Sequence, residues 1–197
     1  MQTACKKCRR EGVKLILKAD RCLSSKCAIV KRPYAPGTSG QGFRGKMSEY
    51  GKQLREKQKA KRIYYINETQ FKNYVTKANN MVGNKTENLM QLLETRVDNL
   101  LYRSGFASSH SKARQAVAHG LFTLNGHRIY TPSLQVKIGD VVEPKKKESY
   151  TDISLNTALS WFDADNKKMV VVIKHLPARE EIDTPINENL IIEYYSR

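Results

Sequence analysis

Apolar positions recur at helical spacing in the middle of the chain, between residues 86 and 105. Their period predicts one long helix, which is capped by Thr86 at its start and ended by Gly105. A second helix is predicted from Ser109 to His119, because Ser109 is a good N-cap and small apolar residues recur behind it. The two apolar faces consist of Leu89, Leu92, Leu93, Val97, Leu100 and Leu101 in the first helix and Ala113, Ala116 and Val117 in the second.

The pattern changes to short strand-like segments after residue 120. A strand is predicted at 122–124, followed by Asn125-Gly126, a pair suited to a type I′ turn, and by a returning strand through Ile129. A turn at 138–140 leads into a strand at 141–142, and the β-branched run 169–173 predicts another strand. The central unit is therefore predicted to be two helices against a small, turn-rich sheet.

Helices are also predicted on either side of this central unit. One spans 48–62 and is capped by Ser48, but few of its residues offer an apolar core face. Another occupies 67–83 and has a clear apolar stripe, and a short one is expected at 151–159. The last segment, 186–197, is apolar on one side, so we expect it to dock rather than to trail freely.

Charge narrows the choice of partner, because the chain carries a formal net charge of +16. Residues 1–62 hold 18 Lys/Arg against 4 Asp/Glu, whereas residues 63–197 hold 17 against 15. This excess indicates a polyanionic partner that is contacted mainly by the first third of the chain. No amphipathic anchor, lipidation motif or membrane-spanning run favours a membrane. No signal-peptide pattern opens the sequence, so a cytoplasmic product is the default.

All four cysteines lie in the first 27 residues, with the spacing C-x2-C-x13-C-x4-C. Two close pairs can converge tetrahedrally, and four thiolates suit a closed structural site for one zinc ion (Zn2+). Neighbouring Lys and Arg residues are expected to lower the pKa values of the thiols. Two disulfides, disfavoured in a cytosolic chain, and an iron–sulfur cluster of untypical spacing are the competing interpretations. The expected metal ligands are Cys5, Cys8, Cys22 and Cys27.

The segment 31–46 is rich in Pro and Gly and predicts an extended, irregular arm. Residues 40–46 nearly match a nucleotide-binding P-loop, but Met47 replaces the hydroxyl residue that would hold magnesium and no hydrophobic strand precedes the loop. Nucleotide binding is therefore disfavoured. An arm that follows RNA fits better, with Tyr34 and Phe43 able to stack on bases.

Two further groups of cations could hold phosphate. The helix predicted at 48–62 carries six Lys/Arg against two Glu, and a phosphate-bound face would explain so polar a helix. In the central unit, cations on or near the loop and the second helix are expected largely off its apolar face, beside free backbone N–H groups. A solvated face is the alternative interpretation in both places. The central group is Arg103, His110, Lys112, Arg114 and Arg128.

No constellation of residues supports an enzyme. The chain has no HExxH or GxSxG motif, and its four histidines are scattered. Its length also leaves little room for an active-site domain. We therefore expect a binding protein without catalytic residues.

The central unit resembles a known RNA-binding module. The resemblance rests on residues 96–106, Ala113-Arg114-Gln115, His119 and 124–126. The module occurs in small-subunit ribosomal protein four, in some pseudouridine synthases and in tyrosyl-tRNA synthetases. It therefore implies RNA binding without choosing among these functions.

Longer motifs are similar to the bacterial form of small-subunit ribosomal protein four. They are SEYGKQLREKQKAKRIY at 48–64, short matches at 70–71 and 87–89, and INENLIIEYYS at 186–196. The cysteine spacing resembles that of the zinc-bearing members, and the resemblance covers nearly the whole chain. In two departures, the basic segment usual before the first cysteine is missing, which is expected to weaken one RNA contact, and Ser39 stands where the family often has histidine.

The resemblance implies an α+β fold in three parts. A zinc-stapled arm is expected at 1–46, a helical rRNA-binding domain at 47–93 completed by the tail 180–197, and an inserted RNA-binding domain at 94–179. The inserted domain would hold two helices and a small, mainly antiparallel sheet.

The implied function is that of a structural constituent of the small ribosomal subunit. Such a protein binds the 5′ domain of small-subunit rRNA, nucleates assembly and contributes to translational fidelity. Ribosomal protein five and ribosomal protein three are the implied neighbours, with messenger RNA close by where it enters the subunit.

An RNA-modifying enzyme and a stand-alone RNA-binding regulator are the alternative functions. The first would need a catalytic domain, and the second would lack a helical domain built from two separate segments. The residues expected to contact RNA are Arg9, Arg10, Lys31, Arg32, Arg44, Lys46, Tyr50, Lys52, Gln53, Arg55, Lys57, Lys59, Lys61, Arg62, Arg103, Ser109, His110, Lys112, Arg114, Asn125 and Arg128.

Overall fold

The computed structural model describes residues 3–37, 46–150 and 153–196. Its helices are α1 (Ala4–Glu11), α2 (Asp20–Leu23), α3 (Ala28–Lys31), α4 (Glu49–Ile63), α5 (Glu68–Asn80), α6 (Lys85–Glu94), α7 (Val97–Arg103), α8 (His110–Ala118) and α9 (Glu188–Tyr195). Its strands are β1 (Phe122–Leu124), β2 (His127–Arg128), β3 (Val141–Pro144), β4 (Phe162–Asp165) and β5 (Val170–Ile173). Short 3-10 helices occupy Lys147–Tyr150 and Arg179–Glu181.

The chain divides into two compact units. Unit 1 comprises Met1–Val75 and Pro185–Arg197, and unit 2 comprises Thr76–Thr184. The end of the chain thus belongs to the same unit as its beginning. The domain limits inferred from the sequence, at residues 93/94 and 179/180, remain a prediction.

In unit 1 the polar helix α4 packs against the C-terminal helix α9. Ser48 caps α4 as predicted, since its Oγ accepts from the backbone N–H of Gly51 at 3.2 Å. Ile191 of α9 is fully buried, and a buried stripe at helical spacing faces inward from α4. The prediction that the C-terminal segment docks is confirmed. The helix α4, for which few core-facing residues were predicted, does bury one face. The buried stripe consists of Gln53, Lys57, Ala60 and Ile63.

Two polar side chains that α4 buries find partners. Lys57, only 5% exposed, donates to Glu68 at 2.8 Å and lies 4.1 Å from the ring centroid of Tyr194. Gln53 Nε2 donates to Glu193 Oε2 at 3.0 Å. These contacts satisfy the Lys57 ammonium group and the N–H side of the Gln53 amide, whereas the Gln53 Oε1 is buried without a hydrogen-bond partner.

In unit 2 the long helix predicted from residue 86 to residue 105 is two helices, α6 and α7. Arg96 has extended backbone angles (φ −70°, ψ 138°) and forms an isolated bridge with Gln135. The N–H of Val97 therefore bonds to the carbonyl of Leu134 at 2.9 Å instead of continuing the helix. The predicted Thr86 cap is also wrong, because Asn84 caps α6 through a bond from the Thr86 N–H.

The sheet of unit 2 has the strand order β2-β1-β3-β5-β4, and its pairs are all antiparallel. Asn125 and Gly126 join β1 to β2 with φ values of 51° and 80°, as a type I′ turn requires. Ala113 and Val117 of α8 and Trp161 before β4 are buried in the same hydrophobic core. The prediction of helices packed on a small sheet around this hairpin is confirmed.

The short helix predicted at 151–159 is wrong for the residues that can be compared. Its predicted cap, Thr151, lies outside the described residues, and 153–159 have no helical structure. The reason is that two central backbone N–H groups of this segment bond to distant partners instead of to a preceding helical turn. The N–H of Leu155 donates to Asn166 Oδ1 at 2.7 Å, and that of Asn156 donates to the carbonyl of Ser104 at 2.9 Å.

Gly120 ends α8 in a position that only glycine fits without a shift. Its φ is +62°, and a Cβ there would lie 2.6 Å from Tyr130 Cε1 and 2.7 Å from Arg128 Nε. Gly120→Ala should therefore lose about 1 kcal/mol for backbone strain and about 1 more for displacing these side chains. Gly126→Ala is the control, because φ is +80° but no atom lies within 4 Å. If chemical unfolding shows that both variants lose the same stability, the extra cost expected from contact of the added Cβ with Tyr130 and Arg128 would be contradicted.

Candidate RNA-binding surfaces

The loop before α8 forms one candidate RNA-binding surface of unit 2. Ser109 caps α8 by accepting from the N–H of Lys112 at 3.3 Å, so its hydroxyl is engaged by the helix. The Lys112 side chain is exposed, and Arg114 keeps 39% of its side chain exposed. The beginning of α8 therefore presents cations beside backbone N–H groups, an arrangement that suits phosphate.

His110 does not lie on that surface, contrary to its expected place off the apolar face. It is 7% exposed, and its Nε2 lies 2.9 Å from Asn99 Oδ1. Since the Asn99 amide group donates to Glu94, its Oδ1 is the acceptor and His110 Nε2–H is the donor. Burial, with the nearby Arg103 charge, lowers the pKa of His110 to about 3. His110 is therefore neutral near pH 7 and supplies no cation.

Arg103 is also engaged inside unit 2. Its guanidinium donates to both carboxylate oxygens of Glu94, at 3.0 and 2.7 Å, and to Thr184 Oγ1 at 2.7 Å. Only 16% of its side chain is exposed, against 1% for Glu94. The bidentate pair fixes the end of α7 to the end of α6, and the single bond to Thr184 connects it to the last residue of unit 2. RNA contact by Arg103 remains a prediction.

A buried ion pair between Arg96 and Asp98, which the sequence did not predict, positions the side chain of Arg114. Arg96 is fully buried and donates to both oxygens of Asp98, at 2.9 and 2.6 Å. Arg114 Nη1 lies 3.6 Å from the same carboxylate. The Asp98 carboxylate therefore positions Nη1 of Arg114. The exposed 39% of the Arg114 side chain faces solvent. Nothing in the helical spacing signals this pair, because Arg96 lies in the break between α6 and α7.

The hairpin supplies one more exposed cation. Arg128 donates through Nε to the carbonyl of Gly120 at 2.7 Å, and its guanidinium lies 5.2 Å from the Tyr130 ring centroid. Asn125 bonds through its side chain to Asp140 and to the N–H of Val141, so it braces the turn. Both residues are exposed, and their contact with RNA remains a prediction.

The six cations of α4, predicted to form a phosphate-bound face, have partners within unit 1, and their contact with phosphate remains a prediction. Each forms an ion pair with a carboxylate of unit 1. Such pairs explain how a helix this polar is stable without phosphate, since four carboxylates offset much of the repulsion among its six cations. The pairs are Lys52–Glu49, Arg55–Glu11, Lys57–Glu68, Lys59–Glu56, Lys61–Glu68 and Arg62–Glu11.

Glu68 is the carboxylate on which two of these pairs converge. Partial burial raises its pKa, but hydrogen bonds from Lys57, Lys61 and the Tyr195 hydroxyl outweigh that effect and lower the pKa to about 2. Glu68 therefore stays ionised at neutral pH and holds α4, α5 and α9 together. Of the other expected RNA contacts near α4, Lys46 and Tyr50 are exposed, whereas Gln53 is buried.

The arm at the start of the chain carries the remaining candidates. Arg9 donates through Nε to the carbonyls of Arg32 and Tyr34, at 3.1 and 2.9 Å, and lies over the Tyr34 ring at 4.8 Å. Arg10, Lys31 and Arg32 are exposed. Arg44 and Phe43 lie outside the described residues.

The four cysteines line one small cavity of about 10 Å³ between the helices of the arm. None forms a disulfide, and the Lys18 N–H donates to Cys22 Sγ at 3.3 Å. Burial raises the pKa of the Cys8 thiol, so the expected lowering by neighbouring cations is wrong for this residue. Among the described residues, no three Cys, His, Asp or Glu side chains are placed closely enough to hold a metal ion.

Comparison with known proteins decides the family. Residues 1–94 match the family described as ribosomal protein S4/S9 N-terminal domain, and residues 95–142 match the S4 domain. The small ribosomal subunit protein uS4 of Clostridioides difficile (strain 630) is 53% identical over 201 residues, covering 98% of this chain and 97% of that protein. The chain belongs to the uS4 family.

Other relatives agree over the same length. The uS4 protein of Syntrophomonas wolfei is 49% identical, with 99% of this chain and 97% of that protein covered. The uS4A protein of Alkaliphilus metalliredigens is also 49% identical, with 98% and 96% covered. Membership in the uS4 family, whose members are structural proteins, confirms the prediction that the chain is not an enzyme. Within the described residues, no helix is long and apolar enough to cross a bilayer.

Proposed function

We propose that this chain, as a uS4 protein, binds the 5′ domain of small-subunit rRNA and helps to nucleate assembly of the subunit. A structural, rRNA-binding role in the small subunit follows from the family. The observation that carries the proposal is the match of both the N-terminal and the S4 domain at about half identity over nearly the whole chain. The exposed cations of the arm and of α8 are consistent with a phosphate partner.

The proposal extends to neighbours in the subunit. Ribosomal protein five, ribosomal protein three and messenger RNA near the point where it enters are the proposed contacts, with an influence on translational fidelity. They are supported by the resemblance of the motifs at 48–64 and 186–196, which lie together in unit 1 on α4 and α9.

Co-sedimentation tests the ribosomal assignment. The chain should remain with small subunits through a wash at high salt, because a structural constituent is held by shape as well as by charge. A stand-alone regulator would be released by the same wash, and an RNA-modifying enzyme would leave modified nucleotides in the RNA. Release of the chain, at a salt concentration that keeps the other ribosomal proteins bound, would contradict the proposal.

We also propose that Cys5, Cys8, Cys22 and Cys27 hold one structural zinc ion. The fit rests on the donor set, since four unpaired cysteines line a single cavity and four thiolates are a usual ligand set for structural zinc. Binding would require the thiols to lose their protons and draw closer than they stand. A metal would then join three short helices that have little core of their own.

The variant Cys22→Ser with Cys27→Ser tests the zinc site. Half of the ligands would be lost, so the bound zinc should fall from about one ion per chain to about none, with loss of structure in the arm. Metal content by elemental analysis and protease sensitivity of the arm provide the measurements. The control is Ser24→Ala with Ser25→Ala, which leaves the cysteines in place. Unchanged zinc in the cysteine variant would contradict the assignment.

A further inference from the structure

Five cations from separate elements of the arm line one open cleft of about 440 Å³. Arg9 comes from α1, Arg21 from α2, Lys26 from the turn after α2, and Lys31 and Arg32 from the end of α3. Ala28 is the one other lining residue among those that the structure describes. Within the described part of the chain, no carboxylate lines the cleft, so the positive charges add up there.

Arg9 forms a fixed wall of this cleft. Its guanidinium is held by the carbonyls of Arg32, Tyr34 and Ala35, and its plane lies over the Tyr34 ring. Carbonyl groups and a ring orient the guanidinium without neutralising it. The side chain therefore keeps its charge and loses little freedom when an anion arrives.

The other four cations are exposed, and none forms an ion pair with a carboxylate among the described residues. The described arm contains only two acids, Glu11 and Asp20. Glu11 is buried against Arg55 and Arg62 of α4, so it does not compensate the cleft. Asp20 precedes Arg21 in the sequence but does not line the cleft, so among the described residues the four like charges converge there without a carboxylate between them.

The six cations of α4 provide the contrast. Each already has a carboxylate partner, and phosphate would have to displace that partner before it gained an ion pair. The cleft cations gain their first opposite charge when phosphate binds. For equal exposure, phosphate binding therefore releases more free energy at the cleft than at α4.

We propose that the cleft lined by Arg9, Arg21, Lys26, Lys31 and Arg32 is the main phosphate-binding site of this chain for RNA. The inference rests on the proposed function, since it names where the backbone of the bound RNA lies. It assigns α4 mainly to holding unit 1 together rather than to the electrostatic contact. The cleft thereby binds phosphate and α4 stabilises unit 1, although both are rich in Lys and Arg.

The experiment compares variants of the full chain in binding to a transcript of the 5′ domain of small-subunit rRNA. Arg21, Lys26, Lys31 and Arg32 are all changed to Gln, and log affinity is measured against log salt concentration. The slope should become shallower by about 3, since each lost phosphate contact removes about 0.7 to 0.9. The affinity gap to the parent chain should then narrow about eightfold for each doubling of salt.

A matched control removes the same charge from exposed lysines of unit 2. Lys85, Lys137, Lys145 and Lys167 are changed to Gln, and the slope should change by less than about 1. If the fourfold cleft variant loses helical structure, Lys26→Gln and Lys31→Gln are measured singly, each with an expected change of about 1.

The outcomes separate the inference from the proposed function. An unchanged slope in the cleft variants, or an equal change in the control, would overturn the cleft as the main phosphate site. A parent chain that does not prefer the 5′ domain over unrelated RNA would instead overturn the proposed function. The cleft could still be judged in that case, because the slope reports phosphate contacts in any RNA.

Discussion

Unit 2 is expected to lose on the order of 4 kcal/mol of stability when the pH falls from about 7 to about 3, through His110 alone. Burial lowers the pKa of His110 to about 3 from 6.5, and Arg103 and Arg96 add to this effect while Glu94 opposes it. The neutral ring lies 4.1 Å from the Tyr102 ring and donates to Asn99. A proton on the ring would add a third positive charge beside Arg103 and Arg96, and Glu94 offsets these charges only in part.

The sign follows from where the proton binds. Below about pH 6.5 the unfolded chain takes up a proton on this histidine, whereas the folded chain does so only near its pKa of about 3. The free energy of unfolding therefore falls steadily through that interval as the pH is lowered. It is unaffected by His110 above the interval.

Chemical unfolding of the parent chain and of His110→Gln, at pH values between about 3 and 7, tests this expectation. The amide of Gln can donate to Asn99 but does not titrate. The difference between the two curves isolates His110 from the carboxylates that also titrate. Parallel curves across the interval would mean that the ring binds its proton as readily in the folded chain as in the unfolded chain, which would contradict its burial as a neutral donor to Asn99.

Arg96→Met is expected to cost about 3 to 5 kcal/mol, because it leaves the Asp98 carboxylate buried without its bidentate partner. Arg96 is fully buried and Asp98 is 2% exposed, so solvent cannot replace the lost hydrogen bonds. Arg114 is 3.6 Å away and can compensate only in part. The loss should appear as a lower midpoint of chemical unfolding for unit 2.

Two further variants separate the buried charge from the change in packing. Arg96→Met with Asp98→Leu removes both charges, so it should regain most of the lost stability. Arg114→Gln should cost less than about 1 kcal/mol, because this arginine is partly exposed. If the double variant is as unstable as Arg96→Met, then the shape of the Arg96 side chain, and not its charge, stabilises the unit.

Local signals in the sequence were enough to predict α8 and the β1–β2 hairpin. Ser109 caps its own helix three residues on, and Asn125-Gly126 sets its own turn, so distant residues are not needed to predict either. The break between α6 and α7 was missed for the opposite reason. It depends on backbone contacts from Arg96 to Gln135 and from Val97 to Leu134, which no periodicity within the helix reveals.

The same distinction applies to the candidate binding residues. A count of cations correctly placed an excess of charge in the first third of the chain, but it could not distinguish paired from unpaired cations. The carboxylate of Glu11 lies 51 residues from Arg62 along the sequence, and Glu68 follows α4 by only a short turn. The pairs of Lys52 with Glu49 and of Lys59 with Glu56 lie within one turn of the helix, but those with Glu11 are tertiary and required the structure.

The central claim is tested most directly by binding of the parent chain to two RNAs of equal length, the 5′ domain of small-subunit rRNA and an unrelated sequence. Affinities are measured from about 50 to about 300 mM salt, where purely electrostatic binding by eight phosphate contacts falls about a thousandfold or more. We predict a large preference for the 5′ domain that persists at the highest salt, since shape complementarity does not depend on counterions. Equal affinities that fall together would contradict the account and leave only a general basic RNA-binding protein.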